Sequence, residues 1–102
     1  MAVKDAAGRE ICVGDRVRVL GNFAGQRLGG KAGTVVQIDG VNFRSLHGWD
    51  IGVKFDEYMG GHDLDSTCPY GYGRWGYGSE VVVIDELAHK TEIEFQFEDI
   101  FG

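Results

Sequence analysis

Apolar and polar residues alternate with period two along several short stretches of the chain. DRVRVL at 15–20 places Val17 and Val19 on one face and Arg16 and Arg18 on the other, as in a strand with one buried side. TVVQID at 34–39 is rich in β-branched residues and predicts a second strand, closed by an Asp39-Gly40 turn signal. IGVKFD at 51–56 alternates again, with Ile51, Val53 and Phe55 together. EVVVI at 80–84 is a continuous apolar run and predicts a strand buried on both faces. TEIEFQFED at 91–99 alternates most cleanly, setting Ile93, Phe95 and Phe97 against Glu92, Glu94, Gln96 and Glu98.

The intervening stretches are poor in such signals. GNFAGQRLGGKAG at 21–33 and GGHDLDSTCPYGYGRWGYG at 60–78 read as glycine-rich loops, and DELAHK at 85–90 suffices for a single helical turn. Four or five short strands without a convincing helix predict one small all-β domain. Closure into a barrel is the expected way to remove exposed strand edges. The reading divides the chain into a barrel over 1–88 and an acidic, aromatic C-terminal strand or tail over 89–102.

Composition supports a folded domain: 43% of the 102 residues are hydrophobic, and seventeen glycines beside one proline favour turns over helices. No apolar run approaches the roughly 20 residues of a membrane helix. MAVKDAAGRE at the N-terminus lacks the apolar core of a signal peptide, so a cytoplasmic protein is expected. Cys12 and Cys68 then read as free thiols, with a Cys12–Cys68 bridge as the alternative in an oxidising compartment.

Charge is unevenly distributed. Residues 1–54 carry eight Lys/Arg and five Asp/Glu, whereas 55–102 carry two and eleven, for a formal net charge of −6 over the whole chain. Such an acidic chain is disfavoured from coating a phosphate backbone, whose non-specific affinity comes from counterions displaced by Lys and Arg.

VGDRVRVL at 13–20, GKAGTVVQID at 30–39 and IGVKFDE at 51–57 together resemble the small SH3-like barrels of the KOW type. Gly14-Asp15 would turn the chain into the first strand, and Gly33 would permit a bulge or close approach at the start of the second. GGHDLD, then Cys68, then GYGRWGYGSEVVVI also resembles a loop of short bacterial and phage SH3-like proteins. The likeness spans residues 11–84. It implies the barrel fold and, as one functional expectation, KOW-like binding of nucleic acid or ribonucleoprotein through Arg16, Arg18, Arg27, Lys31 and Arg44.

The 60–78 stretch holds the candidate chemistry. His62, Asp63, Asp65 and Cys68 offer nitrogen, oxygen and sulfur ligands, but without a paired Cys-x-x-Cys or His-x-x-x-His spacing. DLDST starts like a calcium loop, yet its sixth position is Cys68 and its twelfth is Arg74. The competing reading is that His62 and Asp63 hydrogen-bond the loop backbone while Cys68 packs as a small hydrophobe. Cys68 and His62 as nucleophile and base lack an orienting group or an oxyanion hole, and the glycines match no phosphate-binding fingerprint. No cofactor, metal or catalytic residue is expected.

Tyr70, Tyr72, Trp75 and Tyr77, separated by glycines, are the stronger signal, because aromatic rings supply large contact area at low entropic cost. With Trp49, Tyr58 and Arg74 nearby in sequence they could form a binding surface, or the rings could close the barrel mouth. In EIEFQFEDIFG, residues Glu94, Phe95, Phe97 and Phe101 could add a strand to a partner's sheet, pair with a second copy to form a homodimer, or pack on the chain's own barrel. The expectation is a non-enzymatic protein-binding module, a phage or bacterial modulator that occludes or adapts a partner complex. That partner would present a basic or nucleic-acid-binding surface.

Overall fold

The computed structural model describes residues 3–39 and 48–84 of the chain. Within them lie seven strands: β1 (Arg16–Val19), β2 (Asn22–Phe23), β3 (Gln26–Arg27), β4 (Ala32–Ile38), β5 (Ile51–Phe55), β6 (Gly73–Gly76) and β7 (Val81–Val83). A single 3₁₀ turn, Gly78–Glu80, precedes β7. Five strands form one antiparallel sheet in the order β6-β5-β4-β1-β7, and β2 with β3 makes a separate two-stranded sheet.

This arrangement corrects the expected SH3-like barrel of the KOW type. The sheet is open: β6 and β7 are its two ends and do not pair with each other. The chain protects the ends by other means than closure. At β7, the Asp5 carboxylate accepts the Val83 N–H (2.8 Å) and Ala6 donates its N–H to the Val81 carbonyl (2.9 Å). At β6, His62 and Gly73 exchange backbone hydrogen bonds of 2.7 and 2.9 Å. Each edge is thus capped by a turn or loop of the same chain.

The period-two pattern orients the strands as expected. Val17 and Val19 on β1, Val35 on β4, and Ile51, Val53 and Phe55 on β5 are all buried in one core on the inner face. Gly33 faces Phe55 in register, and a Cβ there would lie 2.5 Å from the Lys54 carbonyl oxygen, so glycine permits the close approach. The register shift of β4 falls further along, between Val35 and Gln37. β7 is less covered than its apolar run suggests: Val81 is buried, while Val82 and Val83 are half-buried.

Three strands, one hairpin and one single strand, were hidden within the two apparent loops. β2 and β3 form a hairpin around Ala24 and Gly25, both with positive φ (50° and 84°), as a two-residue primed turn requires. Glu80 secures it by accepting the Ala24 N–H at 2.8 Å. The hairpin delivers Phe23 into the core, edge-to-face on Phe55 at 5.8 Å. β6, GRWG, is the single strand, and its glycine content masked it. The strand expected at 91–99 and the turn expected at 85–90 lie outside the described residues.

Candidate functional site

Register divides the sheet's two faces. Val35, Ile38, Ile51, Val53 and Phe55 look into the core, whereas Gln37, Gly52, Gly73 and Trp75 share the opposite face. The loop between β5 and β6 folds onto that opposite face. Leu64 is fully buried there, apart from the main core, and a Cβ on Gly73 would stand 2.4 Å from its Cγ and 2.8 Å from Cys68 Sγ. Trp75 covers Gly52, where an added Cβ would lie 2.7 Å from the indole. The glycines at 52 and 73 therefore make room for the loop and the indole, giving a small second core.

Polar bonds lock the loop to this seat. Gln37 is buried and donates its side-chain N–H to the Leu64 carbonyl at 2.8 Å, with the Thr67 hydroxyl donating to the same oxygen at 2.6 Å. Leu64, Asp65 and Ser66 have φ of 49°, 58° and 70°, one turn of left-handed backbone that costs about 1 kcal/mol per residue in isolation. Thr67 and Cys68 both donate their N–H groups to the Asp63 carbonyl (3.0 and 3.1 Å), and Leu64 burial contributes about 2 kcal/mol in return. The turn drives Leu64 inward and leaves Asp65 exposed.

The reactive-looking cluster takes part in the loop's backbone bonding. His62 engages through its backbone, and its side chain is exposed. Cys68 is half-buried, and burial followed by the nearby Asp63 charge pushes its thiol above the ordinary cysteine value. Among the described residues, no group of three or more His, Cys, Asp or Glu is arranged to hold a metal ion. Both Cys12 and Cys68 are free.

The expected aromatic surface is split by the β5–β6 ladder. Lys54 pairs with Gly73 at one end and Ile51 with Gly76 at the other. Tyr72 thus lies beyond one end and Tyr77 beyond the other, roughly 16 Å apart at strand rise. Trp49, preceding β5, belongs with Tyr77, and both are half-buried. Trp75 lies between, against the sheet. Arg74 braces the loop by donating to the Met59 carbonyl at 2.8 Å.

The loop end gathers a different set. Tyr58 stacks edge-to-face on Tyr72 at 6.0 Å and lies over Gly71, where a Cβ would fall 2.1 Å from its ring. Even so, Tyr58 remains 64% exposed, and Tyr70 is 74% exposed. Tyr58, adjacent to the glycine-aromatic run in space through Gly71 and Tyr72, joins Tyr70 and Tyr72 as its projecting part. The sequence marked Tyr58 as nearby, but its ring contact with Tyr72, fourteen positions on, is set by the fold of the loop.

The candidate cations are placed as follows. Arg16 forks onto Asp56 with hydrogen bonds of 2.7 and 2.5 Å and also donates to Thr34 Oγ1 at 3.0 Å. This guanidinium, opposing a smaller burial effect, holds the Asp56 carboxyl below its ordinary value. Lys31 pairs with Glu57 at 2.6 Å. Arg18 and Arg27 are exposed, and Arg44 lies outside the described residues, as do Glu94, Phe95, Phe97 and Phe101. At the far end, Asp50 accepts the Gly78 N–H at 2.6 Å, yet burial first, and then Asp39 and Glu80, raise its carboxyl above the usual range.

Comparison of the chain with protein-family models, with curated proteins and with solved structures finds no match. Among the described residues, no helix is long and apolar enough to cross a membrane.

Proposed function

We propose that this chain is a non-enzymatic protein-binding module whose contact surface is the loop end of the β5–β6 ribbon. The exposure of Tyr58 and Tyr70 on a loop that is itself bolted to the sheet carries this reading. A rigid aromatic surface loses little conformational entropy when a partner covers it. The module acts by occupying a partner's surface or by bridging it to another protein, and the acidic C-terminal segment supplies long-range steering. A cytoplasmic setting, in which Cys12 and Cys68 stay reduced, belongs to the same reading.

The experiment is affinity capture from a nuclease-treated bacterial lysate with the full chain and with Tyr70→Ala. Proteins retained by the wild type and lost by the variant are the expected result. Equal recovery by both, or retention of nucleic acid alone in an untreated lysate, overturns it. Salt-steep nucleic-acid binding lost on changing Arg18 and Arg27 would favour phosphate recognition instead.

A further inference from the structure

Of residues 62–70, Leu64 alone is buried. Its side chain lies apart from the main core, against Gly73, where a Cβ would stand 2.4 Å from its Cγ. The rest of the segment bonds largely to itself. Thr67 and Cys68 donate their N–H groups to the Asp63 carbonyl, and the Thr67 hydroxyl donates to the Leu64 carbonyl. From the sheet, Gln37 donates to that same Leu64 carbonyl at 2.8 Å, and Cys68 Sγ adds a weak contact to the His62 carbonyl at 3.8 Å. Leu64, Asp65 and Ser66 are successive left-handed residues that carry a Cβ. Their combined cost is of the same order as the gain from burying one leucine. A segment balanced in this way opens far more readily than the sheet beneath it unfolds.

We infer that residues 63–70 form a lid latched by Leu64, which lifts from Gly73 as a unit while the five-stranded sheet stays folded. Gly71, with φ 92°, is the hinge on one side, and the His62–Gly73 backbone pair holds the other. Once Leu64 leaves its seat, the burial that offsets the left-handed cost is lost, so the turn unwinds as the lid lifts. Tyr70 rides on this lid. Tyr58 and Tyr72 stay behind, held beside the ribbon by the Met59–Gly71 and Phe55–Tyr72 backbone bonds and by their own ring contact. On the protein-binding reading above, the latch therefore sets where Tyr70 is held relative to the Tyr58–Tyr72 pair. An unlatched lid leaves the contact surface incomplete.

The test is native-state amide hydrogen exchange of the full chain, followed by NMR in increasing urea. The Thr67 and Cys68 amides report the lid, His62 and Gly73 its boundary, and Val19 and Val35, bonded to Lys31 and Asp15, the sheet. Corrected for intrinsic rates, Thr67 and Cys68 should exchange at least about 100-fold faster than Val19 and Val35, with little dependence on low urea. His62 and Gly73 should follow the sheet. Ser66→Gly, which removes the left-handed penalty at φ 70°, should slow exchange at Thr67 and Cys68 about 5-fold. Leu64→Ala alters the latch and Gly73→Ala its seat. Each should abolish protection at Thr67 and Cys68 and leave the sheet folded.

Thr67 and Cys68 sharing the protection and urea dependence of Val19 and Val35 overturns the inference. So does opening of His62 and Gly73 together with them, an unchanged rate in Ser66→Gly, or loss of sheet protection in both Leu64→Ala and Gly73→Ala. For the surface, affinity capture with Leu64→Ala should lose the proteins that Tyr70→Ala loses. Recovery by Leu64→Ala equal to wild type, with Tyr70→Ala still deficient, ends the lid's part in presenting Tyr70 and leaves the contact surface standing. Equal recovery by all three overturns the protein-binding reading, whereas the exchange pattern alone decides the lid.

Discussion

The Asp5 carboxylate accepts the backbone N–H of Val83 at 2.8 Å, closing a contact across 78 positions of the chain. Its other oxygen accepts from Ala7 (2.9 Å) and Arg9 (2.8 Å), so one buried side chain both folds the N-terminal turn and caps the β7 edge.

Removing that carboxylate exposes the weakness of an open sheet. Asp5→Ala leaves three N–H groups without their acceptor and is expected to cost about 2–4 kcal/mol. Asp5→Asn keeps the shape but turns an N–H₂ toward a donor, at about half that cost. A fall in the urea midpoint with unchanged slope is the readout; an unchanged midpoint would show that the cap is dispensable.

The same residue sets the direction of acid unfolding. Burial alone would raise the Asp5 carboxyl, but the N–H groups of Val83, Arg9 and Ala7, with the Arg9 charge, bring it below its ordinary value. The Arg16 fork lowers Asp56 likewise. For both, the unfolded state binds the proton more tightly, so their stabilisation is present above the ordinary carboxylate pKa near 3.8 and is lost as pH falls through the lower folded values. Asp5→Asn should flatten the acid limb of a stability–pH curve; an unaltered limb would remove Asp5 as its cause. Asp56 is exposed, so its share is smaller.

A double-mutant cycle on Arg16 and Asp56 measures the fork directly. The bidentate geometry on a solvent-facing strand predicts coupling of about 0.5–1 kcal/mol, falling with salt. Coupling near zero would leave Arg16 available as a phosphate contact.

The second core is tested by Leu64→Ala and Gln37→Leu. Truncating Leu64 opens a cavity between loop and sheet and should cost about 2–4 kcal/mol, with Trp75 fluorescence shifting as water reaches the indole. Gln37→Leu should cost only about 1 kcal/mol, since the Thr67 hydroxyl still serves the Leu64 carbonyl. Limited proteolysis at 60–70 under native conditions should rise in the first variant more than in the second. The opposite order would mean that polar bonding rather than packing holds the loop.

Thiol labelling separates the cysteines. Exposed Cys12 should react with a disulfide reagent at least about 10-fold faster than Cys68, whose thiolate is disfavoured by burial and by Asp63. Asp63→Asn should accelerate Cys68; an unchanged rate would show that access alone limits it.

Within the described residues, strand identity and facing were legible in the sequence wherever side chains alternate. Val17, Val19, Ile51, Val53 and Phe55 fall inward because their period matches the pleat, and no distant residue is needed to decide it. The Gly14-Asp15 turn was equally local: Gly14 has φ 98°, and Asp15 accepts the Cys12 N–H at 2.8 Å. What the sequence could not decide was how the edges end. Open sheet and closed barrel share the same alternation, and the choice rests on Asp5 reaching Val83 and His62 reaching Gly73, contacts without a linear signature.

The site divides along the same line. Spacing alone grouped Tyr70, Tyr72, Trp75 and Tyr77 as one surface. The β5–β6 register separates them, because a strand carries its residues along its length and to alternate faces. Tyr58 joins Tyr72 only because the loop folds back over Gly71. The sequence by itself determined which strands alternate and which residues are rich in contact area. The tertiary structure alone decided which rings meet, because that depends on where a long loop is pinned against the sheet.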